Sequence, residues 1–198
     1  RPVAGSYDHF TPSVVPFICS RSEFLTAYTP YQAEISQGTL RYIFEYQSMI
    51  CSLTGMDVSN ASMYDGTTAC AEAMMMAAAS GKKQNRFLVS DTVNPKTLQV
   101  MQTYAHYHGI QLGTVASRDG VTDREDLERQ LAEGGVAGVL VQQPNYFGIV
   151  EDYSGFADLI HTNKGLFVID SIAADLALLK TPGEWGADIA VGDAQSLG

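Results

Sequence analysis

Val136-Ala137-Gly138-Val139-Leu140-Val141-Gln142 and, beyond a helical stretch, Leu166-Phe167-Val168-Ile169-Asp170 stay apolar almost to their last residues. Strands without polar alternation have both faces covered, as in a parallel sheet wrapped by helices. The segment between them supplies such a helix: Tyr153–Asn163 is periodic and closes at Gly165. Upstream, Arg86–Ser90 reads as a strand, and Asn94-Pro95 as a cap with proline at the first position of a helix that runs to Gly109. Ile110–Val115 is a strand, and Thr122-Asp123-Arg124-Glu125 is a capping box for a helix carrying Leu127 and Leu131. Ile189–Val191 reads as one more strand. The alternation predicts an α/β fold, a mainly parallel sheet flanked by helices.

Before this alternation the chain is different. Residues 1–38 are rich in Tyr, Pro, Ser and Thr and predict an extended N-terminal arm with short helices, ahead of a large domain spanning 39–198. From Thr39, which can cap it, a helix carries Leu40, Ile43, Phe44 and Ile50 as an apolar stripe and ends at Gly55. A second helix starts at Asp65-Gly66-Thr67-Thr68, runs through Ala69–Ala79 and stops at Gly81, with Lys82 and Lys83 near its negative end. The chain begins without Met and stops just after a strand, which suggests a piece of something longer, lacking a C-terminal small domain.

Composition narrows the function. A formal net charge of −10 with scattered Lys and Arg argues against nucleic acid as partner. No apolar run is long enough to span a membrane, and none follows the first residues as a leader would require. Cys19, Cys51 and Cys70 have no metal-ligand spacing and no closed disulfide framework, which favours a reducing, cytoplasmic compartment. His106 and His108 lie two apart on a predicted helix and point to different faces, so no metal is expected. Neither G-x-G-x-x-G, G-x-x-x-x-G-K-[ST] nor G-x-S-x-G occurs.

Ligands of an open parallel sheet sit beyond the carboxyl ends of its strands. Asp91, Asn94, Gln143, Asn145, Asp170, Asp193, Gln195 and Ser196 all fall there, though each alone reads as a cap or turn residue. Asp65, Gly66, Thr67 and Thr68 at a helix start can hold a phosphate through free backbone N–H groups, or can simply be a capped start; no cation is adjacent in sequence. Asp170 can pair with a protonated pyridine nitrogen and keep a pyridoxal ring electron-withdrawing, or can cap the next segment.

One stretch resembles a known family. Ser20-Arg21-Ser22-Glu23-Phe24-Leu25-Thr26-Ala27-Tyr28-Thr29-Pro30-Tyr31-Gln32-Ala33-Glu34-Ile35-Ser36-Gln37-Gly38 is similar to the signature of the glycine cleavage P-protein, glycine dehydrogenase (decarboxylating). Further likeness lies in Tyr7-Asp8-His9, in Met49–Val58, in Ala61-Ser62-Met63-Tyr64-Asp65-Gly66 and in Gly192–Gly198, so it covers nearly the whole chain. The resemblance implies the type I fold of pyridoxal-phosphate enzymes. It also implies an oxidoreductase that decarboxylates glycine and passes the aminomethyl group to the lipoyl arm of the H-protein. Many bacteria split this enzyme into two homologous subunits that associate as pairs, a heterotetramer, and the wording here resembles the first subunit.

The resemblance also exposes a departure. In the cofactor-bearing subunit a Schiff-base lysine follows an aspartate matching Asp188, and counting along places Ser196 at that position. A hydroxyl forms no imine. Lys82, Lys83, Lys96 and Lys164 belong to helices by this reading and Lys180 precedes a proline turn. Pyridoxal phosphate is therefore expected on a lysine-bearing partner subunit, with Asp65–Thr68 and Asp170 left as a vestigial pocket. The arm residues Tyr28, Tyr31, Gln32, Glu34, Ser36 and Gln37 are expected to reach the partner's active site; the alternative is that they only staple the interface. Two other readings stay open: a purely structural or regulatory subunit, and a self-sufficient enzyme whose lysine lies beyond residue 198.

Overall fold

The computed structural model describes residues 9–25, 28–81 and 84–197. The expectations for Tyr7, Asp8, Thr26, Ala27, Lys82, Lys83 and Gly198 fall outside them. Five strands form one parallel sheet: β1 (Arg86–Ser90), β2 (Gln111–Val115), β5 (Val136–Gln143), β6 (Leu166–Ser171) and β7 (Ile189–Val191), in the order β2-β1-β5-β6-β7. A two-residue pair, β3 (Ser117–Arg118) and β4 (Val121–Thr122), forms a separate small hairpin that the sequence pattern did not suggest. The helices are α1 (Val14–Cys19), α2 (Ser22–Leu25), α3 (Gln37–Thr54), α4 (Gly66–Ser80), α5 (Pro95–His108), α6 (Arg124–Ala132) and α7 (Phe156–Thr162). Among the described residues no helix is long and apolar enough to cross a membrane.

The continuous apolar strands feed two cores, one on each face. Phe87, Val89, Leu140 and Val168 pack with Cys70, Met74 and Ala77 of α4 and Met101 of α5. Their strand neighbours Leu88, Val139, Val141, Phe167 and Ile169 turn to the other face, against Leu127 and Leu131 of α6 and Phe156 and Ile160 of α7. Every residue of β5 is buried, as a strand at the centre of a doubly covered sheet must be. The alanine-rich α4 lies close on the sheet: a Cβ on Gly138 would sit 3.2 Å from the Ala77 Cβ and 2.7 Å from Phe87.

Several boundaries differ from the sequence reading, each for a local reason. The first long helix starts at Gln37, not after Thr39, because the turn from Gln32 to Ser36 already feeds it: Ser36 N donates to Gln32 O and Leu40 N to Ser36 O. Ser36 and Gln37 thus belong to the helix start as much as to the arm. None of the residues of α3 is buried; Ile43 and Ile50 are half-buried, while Leu40 and Phe44 of the expected stripe face solvent. The cap of α6 is Asp123, which accepts from Glu125 N at 3.0 Å, while Thr122 turns inward to Ser90. The helix expected from Tyr153 starts at Phe156, because Tyr153 is buried and donates its hydroxyl to Gln142 O, and Gly155 then adopts φ 79°. Lys164 falls past its end, with φ 63°.

The tight seat of Gly138 gives a direct stability test. Gly138→Val forces a branched side chain against Phe87, Ala77 and the Leu166 carbonyl. It is expected to lower the free energy of unfolding by about 2–4 kcal/mol, read as a reduced urea midpoint at unchanged slope.

Candidate functional site

The carboxyl ends of the parallel strands open onto the start of α4. Asp65 caps that helix, accepting from Thr68 N at 2.7 Å and from the hydroxyls of Thr67 and Thr68. These bonds hold its carboxyl below the usual range, the Thr68 hydroxyl contributing most. A second first-turn donor is taken from far along the chain: Gly66 N donates to Asp193 Oδ1 at 2.7 Å. A Cβ on Gly66 would lie 2.8–2.9 Å from the Asp193 carboxyl atoms, so only glycine admits this approach. Asp193 reaches the helix because β7 ends at Val191 and Gly192 presses against the Ser171 carbonyl.

Asp170 sits behind this contact near the end of β6, in register with Gln142 and Val191. The residue keeps some exposed surface, but its carboxyl group is enclosed and hydrogen-bonded to the thiol of buried Cys70. Burial first, and the Asp193 carboxylate second, push Asp170 up to about 7, with the Cys70 bond acting in the other direction. The same burial, with Asp170 and Asp193 nearby, drives the Cys70 thiol well above its ordinary range, so it remains a donor. Ser196 is buried at the same edge, its hydroxyl oxygen accepting from Ala174 N at 3.4 Å. Asp188 lies at the opposite edge, where its carboxylate accepts from Phe167 N and contacts His161 Nε2, both at 2.7 Å.

A second cluster braces the neighbouring loops, and its centre, Glu151, was not singled out in the sequence. Buried Glu151 accepts from the Thr92 hydroxyl at 2.9 Å, from Thr122 N at 2.8 Å and from Asn145 Nδ2 at 2.8 Å. Gln143 clamps the same residue by its backbone, accepting from Glu151 N and donating to Glu151 O. Ser90, Thr92 and Thr122 share hydroxyl bonds of 2.8–2.9 Å. Gln142 Oε1 accepts from Asn94 N, and Asn94 caps α5 as expected. Of the edge residues, Gln143 and Asn145 are therefore structural braces, and Asp91 and Gln195 are exposed. No sequence spacing links Glu151 to strands so far upstream; only a polar residue between apolar segments hinted at it.

The arm residues are mostly exposed. Tyr28 and Tyr31 are 84% and 81% exposed and lean on each other with ring centroids 6.5 Å apart. Gln32, Glu34 and Gln37 are exposed, Ser36 is half-buried, and Gln37 Nε2 folds back on Glu34 O. Among the described residues no group of three or more His, Cys, Asp or Glu is placed to hold a metal ion.

Comparison with known proteins agrees with this geometry. The family model described as "Glycine cleavage system P-protein" matches residues 3–198. The chain is 51% identical over 195 residues to a probable glycine dehydrogenase (decarboxylating) subunit 1 of Desulforamulus reducens, covering 98% of this chain and 43% of that protein. It is 53% identical over 197 residues to its counterpart of the same description in Moorella thermoacetica, covering 98% and 44%. The chain thus spans less than half the length of the curated relatives it matches. A crystal structure of glycine decarboxylase (P-protein) of the glycine cleavage system, in inhibitor-bound form, superposes with a TM-score of 0.91 at 43% identity, covering 98% of this chain and 43% of that one. A NifS-like protein from Rickettsia africae shares the fold alone: TM-score 0.71 at 18% identity, over 96% and 52% of the two chains. The fold is the type I fold of pyridoxal-phosphate enzymes.

Two titration and packing outcomes follow from the site. The folded state raises Asp170 from 3.8 to about 7, so it favours the protonated form. The associated stability is present below about pH 4 and lost as pH rises through about 7. Asp170→Asn removes this dependence: the stability difference, variant minus wild type, should rise by roughly 1–3 kcal/mol between those limits in urea titrations. Glu151→Ala strands the donors of Thr92, Thr122 and Asn145 and should cost about 3–5 kcal/mol, with Glu151→Gln milder.

Proposed function

Because the chain belongs to the glycine cleavage system P-protein family, we propose that it is the non-lysine subunit of a glycine decarboxylase and acts only with a lysine-bearing partner. The complex decarboxylates glycine and transfers the aminomethyl group to the lipoyl arm of the H-protein. Pyridoxal phosphate, on which the family depends, supplies the electron sink for decarboxylation and is held by the partner. A reducing cytoplasmic compartment suits the three free cysteines.

One observation supports this reading most: Ser196, at the position where counting along the resemblance expects the lysine, is buried and its hydroxyl accepts from Ala174 N. A hydroxyl cannot form an imine. The rest of the pocket fits the cofactor no better. Asp170 would have to be ionised to hold a pyridinium, yet its surroundings favour the neutral acid up to about pH 7. The helix start that would receive a phosphate carries the Asp193 carboxylate. Each described arginine is paired with a carboxylate elsewhere, so none stands ready to balance a phosphate. These residues read as the relic of a pocket.

The arm has the opposite character. Tyr28 and Tyr31 present hydroxyls, Gln32 an amide and Glu34 a carboxylate to solvent, while the exposed Gln37 amide bonds to the Glu34 carbonyl. Polar groups held outward on an ordered turn are available to a neighbouring subunit's site. In this proposal the arm binds and orients glycine, the cofactor phosphate or the lipoyl arm there, and narrows access of water.

The full-length chain mixed with the lysine-bearing subunit is expected to catalyse glycine–bicarbonate exchange, while neither Schiff-base absorbance nor exchange appears with this chain alone. Tyr31→Phe, Gln32→Ala and Glu34→Ala should each reduce exchange on the order of tenfold or more with association unchanged. An internal aldimine in the isolated chain would sink the assignment of the cofactor to the partner. Unchanged turnover and association in all three variants would reduce the arm to a structural element.

A further inference from the structure

The start of α4 has the free N–H groups and positive dipole end that attract an anion, and the chain places its own anion there. Gly66 N donates to Asp193 Oδ1, and the carboxyl group lies so close that a Cβ on Gly66 would reach within 2.8 Å of it. Asp65 takes another first-turn donor, Thr68 N, together with the two threonine hydroxyls. Asp170 adds a third carboxyl group behind them, near enough to feel the Asp193 charge.

We propose that Asp193 is a resident anion: its carboxylate fills, by charge and by volume, the seat at the helix start that a phosphate would require, and closes this pocket to phosphorylated ligands independently of the missing lysine. The inference deepens the relic-pocket reading above and rests on it. It also explains why glycine stands at position 66, since any side chain there would displace the carboxylate from the helix backbone. Under the alternative, in which the lysine alone was lost, the seat would stay open and would bind phosphate weakly in the wild type.

The test uses the full-length chain with inorganic phosphate as probe, in equilibrium dialysis against chloride at matched ionic strength. Wild type is expected to show no saturable phosphate uptake. Asp193→Ala is expected to bind phosphate at least about tenfold more tightly than wild type, the scale of one charge at a helix end. Asp193→Asn keeps an acceptor for Gly66 N and loses the charge, so it should bind between the two. If Asp193→Ala does not fold, as judged by circular dichroism, the asparagine variant decides: no gain over wild type overturns the proposal. Saturable phosphate binding by wild type overturns it as well.

Restoring the lysine separates this idea from the reading beneath it. Ser196→Lys alone should not retain pyridoxal phosphate, whereas Ser196→Lys with Asp193→Ala should, seen as imine absorbance that survives gel filtration. Capture by the single variant shows that the lysine was the only barrier, which overturns the role of Asp193 and leaves the relic reading standing. Saturable capture of pyridoxal phosphate by the wild type removes both.

Discussion

The constraint on which everything else depends is the complete burial of β5. All its residues lie inside, so both faces of the sheet must be covered, and the chain must cross over a face each time it returns to the sheet. That fixes parallel strands and sends every strand's carboxyl end to one edge. Asp170, Gln142, Gln143, Asp193 and Ser196 meet there because the topology brings them, before any chemistry selects them. Gly138 admits the last turn of α4 at Ala77, and the start of the same helix meets Asp193 at the carboxyl edge. The pocket is thus a consequence of packing on the central strand.

A shared edge concentrates polar groups where desolvation is costly, and the molecule resolves this in two ways. Around Glu151 each acceptor meets a donor: a hydroxyl, an amide and a backbone N–H satisfy a buried carboxylate without any cation. Such a fully bonded network braces the loops after β1 and β5. Around Asp170 the satisfaction is partial. One thiol donates to it, a second carboxylate crowds it, and the acid is left half-titrated near neutrality. The first cluster is built for rigidity; in the second, carboxyl groups crowd one another beside a helix start.

The fold was legible because its signals are local. Apolar runs marked β5 and β6, Asn94-Pro95 marked α5, and Asp65 marked α4, each within a few residues of the structure it predicts. The misplaced caps failed for non-local reasons: Thr122 could serve Asp123's helix by spacing, but Ser90 and Glu151 claim it from distant strands. Tyr153 likewise left its helix for the Gln142 carbonyl. The site was legible in part. Ser196, Asp170 and the helix start stood out, while Asp193 read as one more edge residue. Its contact with Gly66 joins positions 127 apart, which no pattern in sequence records.

The same logic separates the pocket from the arm. In the pocket, polar groups of this chain bond to one another: Asp193 to Gly66, Asp65 to Thr67 and Thr68, Ser196 to Ala174. A ligand that needed these groups would have to break those bonds before making its own. In the arm, Tyr28 and Tyr31 are largely exposed, while Gln37 folds back on the Glu34 carbonyl. Its unspent bonding capacity lies outside the fold. The edge binds itself, whereas the exposed hydroxyls of Tyr28 and Tyr31 leave the arm free to bond outward.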